Sequence, residues 1–524
     1  MSDEIVFKRD MDIGSSAAET DTAFLESCFV ETPEYREITN YTNKKMIVLG
    51  RTGAGKTALL NRAKKEADVE INIKPEVFAF QYIDNAPFIR RLKEEGVNLD
   101  VFYKFLWFHE ILANIIKNYF AYQKKDFIFE LSNFGKDAGR ISQLKQYVSQ
   151  YDNIFFDEGT TEKITNEIER SVSAQVGIGD ISKITGGLTS SQKKEIQAKT
   201  SQYVNKSQIN QLKNLTSILK DYFSENKQRK ILVTIDNLDA NWTDDDTKYK
   251  LINSLLDTIR LFIDVPSLKI LIAMRNDVLA KTVLLANRQN EKDESYTIKL
   301  NWSRVMLSNL VDKRIRHMFE FKYKKQNIIC FRNIFNCSVL NQPGYEYILD
   351  RTMMRPRDII SFINYCIKQA DDQKEITALQ IVTAEKLFAE ERLTALKYEW
   401  SNVYPNVEAY IAAVKKIGNE FSYCKIKKEY KDIQDTVLSL AQEDVPDEII
   451  NAFLKCKIGD TCVDTNIRIL LNILFIIGIL GMKYVDGSLL YSNSDKPTLS
   501  ILDFDENLTF VIHPLFAKRH ETKV

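Results

Sequence analysis

Short apolar runs in the first part of the chain predict the strands of a β-sheet. The clearest is Ile231–Ile235, which is apolar except for Thr234, as expected for a central parallel strand that is covered on both faces. Met46–Leu49 and Leu268–Met274 are similar runs, and Val69–Pro75 alternates apolar and polar residues in the manner of a further strand. The pattern predicts an α/β fold with a parallel sheet.

A helical region separates two of these strands. Apolar residues recur at mostly three- and four-residue steps between Phe102 and Phe120, which places them on one face of a helix. Residues 142–226 are polar and mostly helix-favouring, but the glycines and serines of Val176–Ser191 predict a flexible loop. We therefore expect a helical insertion at about 86–226, which is either a partner-binding arm or a solvated excursion from the core.

The end of the chain predicts helices followed by a small sheet. The helix candidates are Ile376–Tyr398, Val407–Glu420 and Thr465–Met482, and the strand candidates are Ser488–Ser492, Leu499–Phe504 and Leu508–Ile512. Helices that are followed by a terminal hairpin predict a winged-helix-like domain.

The strongest chemical signal follows the Met46–Leu49 strand. The spacing Gly-x-x-x-x-Gly-Lys-Thr fits the P-loop pattern without a mismatch and leads into a helix-compatible segment. The glycines let backbone N–H groups approach phosphate oxygens, and the lysine adds a charge near the β- and γ-phosphates. The threonine hydroxyl suits Mg²⁺. The predicted phosphate-binding residues are Gly50, Arg51, Thr52, Gly53, Ala54, Gly55, Lys56, Thr57 and Ala58.

A second signal lies at the end of the Ile231–Ile235 strand. Asp236 stands where α/β sheets place their ligands, and its carboxylate can hold Mg²⁺ opposite Thr57. Many P-loop ATPases carry a glutamate at the next position to orient the attacking water, but this chain has Asn237, which cannot accept a proton. Asp239 is the alternative residue for positioning water; otherwise hydrolysis is slow and the nucleotide acts as a switch.

Three arginines are candidates for contact with the nucleotide. Arg275 follows the Leu268–Met274 strand and is the predicted sensor of the γ-phosphate, unless it is an ordinary surface residue paired with Asp277. Arg355 and Arg357 flank Pro356, which is typical of a helix start. These two arginines either reach the nucleotide from a lid or form salt bridges with the ATPase core.

Composition excludes some classes of protein and leaves others open. The 524 residues suggest roughly two to four domains, and 72 basic against 72 acidic residues leave no net charge that favours nucleic acid or membrane. The basic run Lys313–Lys325 could touch nucleic acid, although a solvated amphipathic helix is the favoured interpretation.

Seven scattered cysteines without a Cys-x-x-Cys pair predict reduced thiols and no zinc site. Ile469–Met482 is too short to span a membrane, so we expect a soluble, cytoplasmic protein.

Taken together, these segments resemble the P-loop ATPases of the AAA+/STAND type, close to the origin-recognition ATPases and their bacterial relatives. The resemblance rests on Gly50–Thr57, Ile235–Asp239, the strand ending in Arg275, Arg355–Asp358 and Val511–Pro514. Phe102–Trp107 also resembles one subgroup of bacterial stand-alone ATPases. The resemblance implies a P-loop NTPase core, a helical lid and a winged-helix domain. The predicted boundaries are a lead-in at 1–43, the core at 44–300, the lid at 301–375 and the C-terminal domain at 376–524.

The resemblance also implies nucleotide-controlled oligomerisation or activation of a partner, often in bacterial conflict systems such as anti-phage defence. No effector segment is apparent, so any toxic output would come from a separately encoded partner. We expect an ATP-binding regulatory ATPase that uses Mg²⁺, and ATP is the default because no Asn-Lys-x-Asp segment follows a strand. Two alternatives are a DNA-acting ATPase that uses its winged helix, for which nucleic acid would be a partner, and a nucleotide-locked scaffold without turnover.

Overall fold

The architecture comes from a computed structural model, which carries side chains. It describes residues 6–79, 87–123, 138–152, 159–177, 179, 181–183, 188–225, 229–285, 293–323, 329–401, 403–442, 447–457 and 461–517. Several residues of the predicted Val176–Ser191 loop lie outside the described residues.

The strands are β1 Ile47–Leu49, β2 Val69–Ile73, β3 Ile231–Ile235, β4 Leu268–Met274, β5 Thr297–Lys299, β6 Ser338–Val339, β7 Gln342–Pro343, β8 Glu420–Ser422, β9 Leu480–Lys483, β10 Leu489–Tyr491 and β11 Thr509–Ile512. The helices are α1 Thr22–Ser27, α2 Pro33–Thr39, α3 Lys56–Lys64, α4 Pro75–Ala79, α5 Pro87–Glu94, α6 Asp100–Gln123, α7 Ala138–Asp152, α8 Gly159–Val176, α9 Ser190–Tyr203, α10 Asn210–Glu225, α11 Asp245–Ile259, α12 Asn276–Leu285, α13 Arg304–Tyr323, α14 Phe331–Ile334, α15 Gly344–Asp350, α16 Pro356–Gln369, α17 Ala378–Trp400, α18 Val407–Ile417, α19 Tyr423–Lys428, α20 Tyr430–Leu440, α21 Glu448–Lys455 and α22 Cys462–Ile477.

The chain divides into two units. One comprises Glu31–Leu49 and Lys56–Lys299, and the other comprises Met1–Val30, Gly50–Gly55 and Leu300–Val524. Below they are called the sheet unit and the C-terminal unit. The six residues Gly50–Gly55 are therefore grouped with the C-terminal unit, although the chain on both sides of them belongs to the sheet unit.

The sheet unit is built on a five-stranded parallel sheet in the order β2-β3-β4-β1-β5. The predicted α/β class and its four predicted strands are confirmed. Every residue of β3 and β4 is buried, whereas β2 alternates buried and exposed residues because it lies at the edge of the sheet. Since all five strands are parallel, Asp236 and Arg275, which follow β3 and β4, lie on the same side of the sheet, at the C-terminal ends of the strands.

The described residues between β2 and β3 are mostly helical. The predicted amphipathic helix is confirmed as α6, whose apolar face enters the main core of the sheet unit. Trp107 is fully buried in α6, where it stacks on Phe78 and donates a 3.0 Å hydrogen bond to the carbonyl oxygen of Leu251. The large aromatic residues of α6 therefore tie the inserted helices to the sheet.

The C-terminal unit has its own apolar core and a four-stranded sheet in the order β10-β9-β11-β8. One predicted helix in this unit is too long: Thr465–Met482 covers most of α22 and then the first three residues of β9. The helix ends at Ile477 because Gly478 adopts a φ of 86° and the N–H of Ile479 bonds back to the carbonyl oxygen of Leu474. Apolar composition continues through this cap, so the sequence pattern alone did not reveal the break.

Two further predictions for the end of the chain are corrected. The predicted strand Leu499–Phe504 contains a 3₁₀ helix, Ile501–Asp503, because the Asp503 carboxylate accepts hydrogen bonds from the backbone and hydroxyl of Ser500. The predicted helix Val407–Glu420 ends at Ile417, and Glu420 begins β8. The predicted strands near Ser488–Ser492 and Leu508–Ile512 are confirmed as β10 and β11.

The expectation that all cysteines are reduced is wrong for one pair. Cys456 and Cys462 form a disulfide with a Cα–Cα distance of 5.9 Å. The short connection between α21 and α22 brings the two residues together, and their spacing is not one of the common cysteine motifs. The other five cysteines, Cys28, Cys330, Cys337, Cys366 and Cys424, are free thiols.

Among the described residues, no helix combines the length and the apolar character that crossing a membrane requires.

Candidate functional site

Thr57 and Asp236 meet at the edge of the parallel sheet. The Thr57 hydroxyl, in the first turn of α3, donates a 2.8 Å hydrogen bond to Oδ2 of Asp236, which directly follows β3. The other carboxylate oxygen, Oδ1, accepts from the N–H of Asn237 at 2.8 Å. The structure therefore brings together the two residues that were predicted to hold Mg²⁺.

The chemistry of these two groups fits Mg²⁺. Both are hard oxygen donors, which is the type that this ion prefers, and it usually retains several waters and phosphate oxygens as well. The part of the chain that the structure describes contains no cluster of three or more histidine, cysteine or acidic residues able to hold a metal by themselves. Water and phosphate oxygens would complete the coordination of a metal held by Thr57 and Asp236.

The glycine-rich loop has the backbone geometry that its sequence requires. Gly53 and Gly55 have φ angles of 77° and 91°, a region that favours glycine. A Cβ atom on Gly53 would lie 2.9 Å from Cβ of Arg357, so a side chain there would also clash. Lys56 then begins α3, and the N–H groups of a helix start suit an anion.

Carbonyl oxygens of this loop are bound by residues of the C-terminal unit. Nη1 of Arg355 donates to the carbonyl oxygen of Thr52 at 3.0 Å, and Nε1 of Trp302 donates to that of Ala54 at 2.8 Å. The backbone N–H of Arg357 lies 3.4 Å from the carbonyl oxygen of Gly53. These contacts hold the carbonyl side of the loop, whereas phosphate would be bound by N–H groups.

Arg355 belongs to a buried charged group. Its residue is 2% exposed, and its Nε donates to Oδ2 of Asp358 at 2.9 Å. Arg392 lies 3.5 Å from the other carboxylate oxygen. Burial alone would raise the pKa of Asp358, but the charges of Arg355 and Arg392 bring it below its ordinary value. Arg355, the residue before α16, thus pairs with Asp358 in the first turn of that helix, which was not predicted.

The side chain of Arg357 takes a different direction from that of Arg355. Its Nε lies 3.4 Å from the carbonyl oxygen of Ser16, near the start of the chain. Both predicted arginines therefore neighbour the glycine-rich loop, through Thr52 for Arg355 and through Gly53 for Arg357.

Arg275 is held by carboxylates. Its Nε and Nη2 each donate to Asp277 at 2.9 Å, and its Nη1 lies 3.7 Å from Oδ2 of Asp239. The pairing with Asp277 that was considered as an alternative is therefore present. The structure also brings together the predicted sensor, Arg275, and the predicted water-positioning residue, Asp239. Asn276 follows, and its Oδ1 is buried without a hydrogen-bond partner among the described residues.

The backbone gives a reason for the asparagine after Asp236. Asn237 is exposed and has a φ of 61°, a left-handed conformation in which asparagine is enriched. Its carbonyl oxygen accepts from the N–H of Ala240 at 3.1 Å, which closes a turn, and Leu238 within the turn is fully buried. A glutamate at this position would have to adopt the same strained conformation.

Trp302 is the main contact of the loop that was not predicted. It lies three positions beyond the last residue of β5, a short strand that the apolar pattern did not reveal. A tryptophan close to a strand end at the ligand-binding edge of an α/β sheet is a signal that could have indicated it.

Comparisons with known proteins give limited similarity. Residues 305–397 match the family described as the FunZ-associated C-terminal helical domain. Over 515 residues the chain is 22% identical to the putative transposon gamma-delta 80.3 kDa protein of Escherichia coli (strain K12), an alignment that covers 96% of this chain and 66% of that protein. The solved ORC2 protein of Aeropyrum pernix, in ADPNP–ADP complexes, aligns over 94% of this chain and 93% of its own with 11% identity and a TM-score of 0.28. A TM-score this low supports no conclusion about fold or function.

Proposed function

We propose that this chain binds ATP with Mg²⁺ and acts as an ATPase of the AAA+/STAND type whose nucleotide state controls its association with a partner. The observation that carries the proposal is the 2.8 Å hydrogen bond between Thr57 and Asp236. It joins the end of a complete P-loop sequence to a carboxylate at the end of a fully buried parallel strand. A glycine-rich turn with no ligand would not require such a partner.

Each residue of the motif has a defined role in this proposal. The N–H groups of the loop and the start of α3 bind the phosphates, and Lys56 adds a full positive charge. Thr57 and Asp236 hold the metal, directly or through water. When bound, Mg²⁺ would neutralise charge that develops on the phosphate oxygens.

Slow hydrolysis is part of the proposal. Asn237 cannot accept a proton, and the carboxylate of Asp239 lies 3.7 Å from Nη1 of Arg275, which competes with water for it. For Arg275 to bind the γ-phosphate, its guanidinium must exchange the Asp277 carboxylate for phosphate oxygens. A nucleotide that is bound for a long time and hydrolysed slowly suits a switch better than a motor.

The finer organisation is also proposed. We infer an ATPase core at 44–300, a helical lid at 301–375 and a winged-helix-like domain at 376–524, which contains the four-stranded sheet. A homo-oligomer, a separately encoded effector or both would be the partners, in the cytoplasm and in anti-phage defence. The match of residues 305–397 to the FunZ-associated C-terminal helical domain is compatible with a defence context.

The DNA-acting alternative has one observation in its favour and one against it. The relative from Escherichia coli is named as a transposon protein, which suits a protein that works on DNA. However, two basic residues at the start of the run 313–325 are already engaged within the chain: Arg314 is 3% exposed and pairs with Asp21, and Nζ of Lys313 donates to the carbonyl oxygen of Phe29 at 2.7 Å. We therefore favour the regulatory ATPase.

Equilibrium binding of ATP and ADP to the full chain tests the proposal. We expect the wild type to bind both nucleotides, Lys56→Ala to lose most of the affinity, and Lys64→Ala, a control at the far end of α3, to bind normally. Turnover that is lost in Lys56→Ala and Asp236→Ala would support the ATPase. Binding without any turnover would support the locked scaffold, and strongly salt-dependent binding of duplex DNA would support the DNA-acting alternative. A wild type that binds no nucleotide would contradict all three.

A further inference from the structure

Arg51, the second residue of the glycine-rich loop, is bonded to the C-terminal four-stranded sheet and its neighbouring helix. Its Nη1 donates to the carbonyl oxygen of Ser492 at 3.0 Å, just beyond β10. Its Nη2 donates to that of Ile477 at 3.1 Å, the last residue of α22. A cation is favourable there, because the carbonyl groups at a helix C-terminus carry partial negative charge.

The packing around Gly478 indicates that the sequence specifically accommodates the contact between Arg51 and the end of α22. Gly478 has a φ of 86°, and a Cβ atom on it would lie 2.5 Å from Nη2 of Arg51 and 2.3 Å from Cε of Met353. Only glycine lets the guanidinium approach the end of α22 this closely. Arg51 also lines a cavity of about 280 Å³ together with Arg355, Tyr491 and His513.

The same residue helps to define the turn of the loop. The carbonyl oxygen of Arg51 accepts from the N–H of Ala54 at 3.1 Å, so the backbone of Arg51 begins the turn that presents the loop. Burial and the neighbouring charge of Arg355 lower the pKa of Arg51 to about 9, which still leaves it charged at neutral pH. The charged side chain of Arg51 thus links the loop to Ile477 and Ser492, and the backbone of Arg51 helps to form the turn of the loop.

We propose that Arg51 is a positioning residue that couples nucleotide binding at the loop to the ordering of residues 477–495. This inference rests on the proposed function, because it requires a phosphate-bearing ligand on the loop. Binding of phosphate oxygens stabilises one conformation of the loop, and that conformation is the one in which the guanidinium reaches Ile477 and Ser492. Because coupling is reciprocal, weakening the contact lowers nucleotide affinity by the same factor by which nucleotide strengthens the contact.

Hydrogen–deuterium exchange of the full chain, with and without Mg²⁺ and ADP, tests the coupling. In the wild type we expect nucleotide to slow exchange in peptides that cover 477–495. Arg51→Met should lose this response and bind ADP roughly tenfold more weakly. Trp302→Phe is the matched control: it removes the hydrogen bond to the Ala54 carbonyl oxygen and leaves the two hydrogen bonds of Arg51 in place. Weaker binding in this variant should therefore leave the response of 477–495 intact once the nucleotide site is saturated.

A second variant keeps the test decisive if Arg51→Met does not fold. Arg51→Lys retains the charge but replaces the planar fork with a compact ammonium group, and we expect a reduced response. The inference is overturned if the wild type binds ADP while exchange in 477–495 is unchanged, or if a folded Arg51 variant keeps the full response. A wild type that binds no nucleotide overturns the proposed function itself, which is a separate and recognisable result.

Discussion

The Thr57 hydroxyl donates a 2.8 Å hydrogen bond to the carboxylate of Asp236, although the two residues are 179 positions apart in the chain. The inserted helices occupy most of that interval. Because β1 and β3 are parallel strands of one sheet, the end of β3 lies on the same side of the sheet as the start of α3. Contact between a hydroxyl and a carboxylate at this edge is the geometry from which the proposed metal and nucleotide chemistry follows.

The left-handed backbone at Asn237 predicts how substitutions there will behave. Asn237→Gly should change the free energy of unfolding by less than about 1 kcal/mol, because glycine adopts a φ of 61° readily. Asn237→Glu should cost about 1–2 kcal/mol of stability. It should also accelerate ATP hydrolysis, because it restores a side chain that can accept a proton from the attacking water. Chemical denaturation and a turnover assay on both variants check this. A folded Asn237→Glu variant with unchanged turnover would contradict the view that Asn237 slows hydrolysis.

The pairing of Arg275 with Asp277 predicts separate effects on ATP and ADP. If Arg275 binds the γ-phosphate, Arg275→Ala should lower turnover roughly a hundredfold while ADP affinity stays nearly constant. Asp277→Asn removes the competing carboxylate charge and should increase the preference for ATP over ADP. Dissociation constants for both nucleotides check the two variants. Equal losses of ATP and ADP affinity in Arg275→Ala would instead indicate a structural role.

The buried histidine of α6 predicts a dependence of stability on pH. His109 is fully buried and hydrogen-bonded to Tyr147, and burial lowers its pKa to about 4, against 6.5 for an exposed histidine. Between these two values the unfolded chain binds a proton that the folded chain does not, so stability falls as the pH drops from about 6.5 towards 4 and is retained above 6.5. Over this whole range the loss in the free energy of unfolding that His109 causes amounts to about 3 kcal/mol.

Denaturation of the wild type and of His109→Gln at several pH values isolates this effect, because contributions from other groups cancel in the comparison. The destabilisation caused by the substitution should be large at pH 7.5 and should shrink towards pH 4.5. A difference that does not vary with pH would contradict the assignment.

The disulfide predicts a count of reactive thiols. Of the seven cysteines in the chain, alkylation in denaturant without a reductant should label five, and prior reduction should raise the number to seven. The double variant Cys456→Ser with Cys462→Ser should give five in both cases. It should also lose about 2 kcal/mol of stability, because the unfolded chain regains the conformational entropy that closure of this short loop had removed. Seven labelled thiols in the unreduced wild type would contradict the bond.

The sequence was sufficient for elements whose pattern is local. The buried strands β3 and β4 and the helix α6 have strong periodicity, and the P-loop carries its function in contiguous residues, so all of them could be located without a structure. The turn at Asp236 could be located as well, because it directly follows an apolar strand.

What the sequence did not reveal depends on contacts between distant segments. The break at Gly478 lies inside a continuous apolar stretch. Glycine stands there because of its φ of 86° and the close approach of Arg51 and Met353. Likewise, the pairing of Arg355 with Asp358 was not predicted, and that of Arg275 with Asp277 was predicted only as an alternative, since a charged residue has many possible partners nearby in the sequence. The position of such a helix break and the partners of such salt bridges are determined by tertiary packing and not by local propensity.

The central claim is that Thr57 and Asp236 form a Mg²⁺-dependent ATP site, and one titration tests it most directly. ATP affinity is measured with and without Mg²⁺ for the wild type, Thr57→Ser, Thr57→Ala and Asp236→Asn. We predict that Mg²⁺ strengthens ATP binding in the wild type and in Thr57→Ser, which keeps the hydroxyl, and that this gain falls roughly tenfold or more in the other two variants. A wild type that does not bind ATP, or a gain from Mg²⁺ that persists in both Thr57→Ala and Asp236→Asn, would contradict the account.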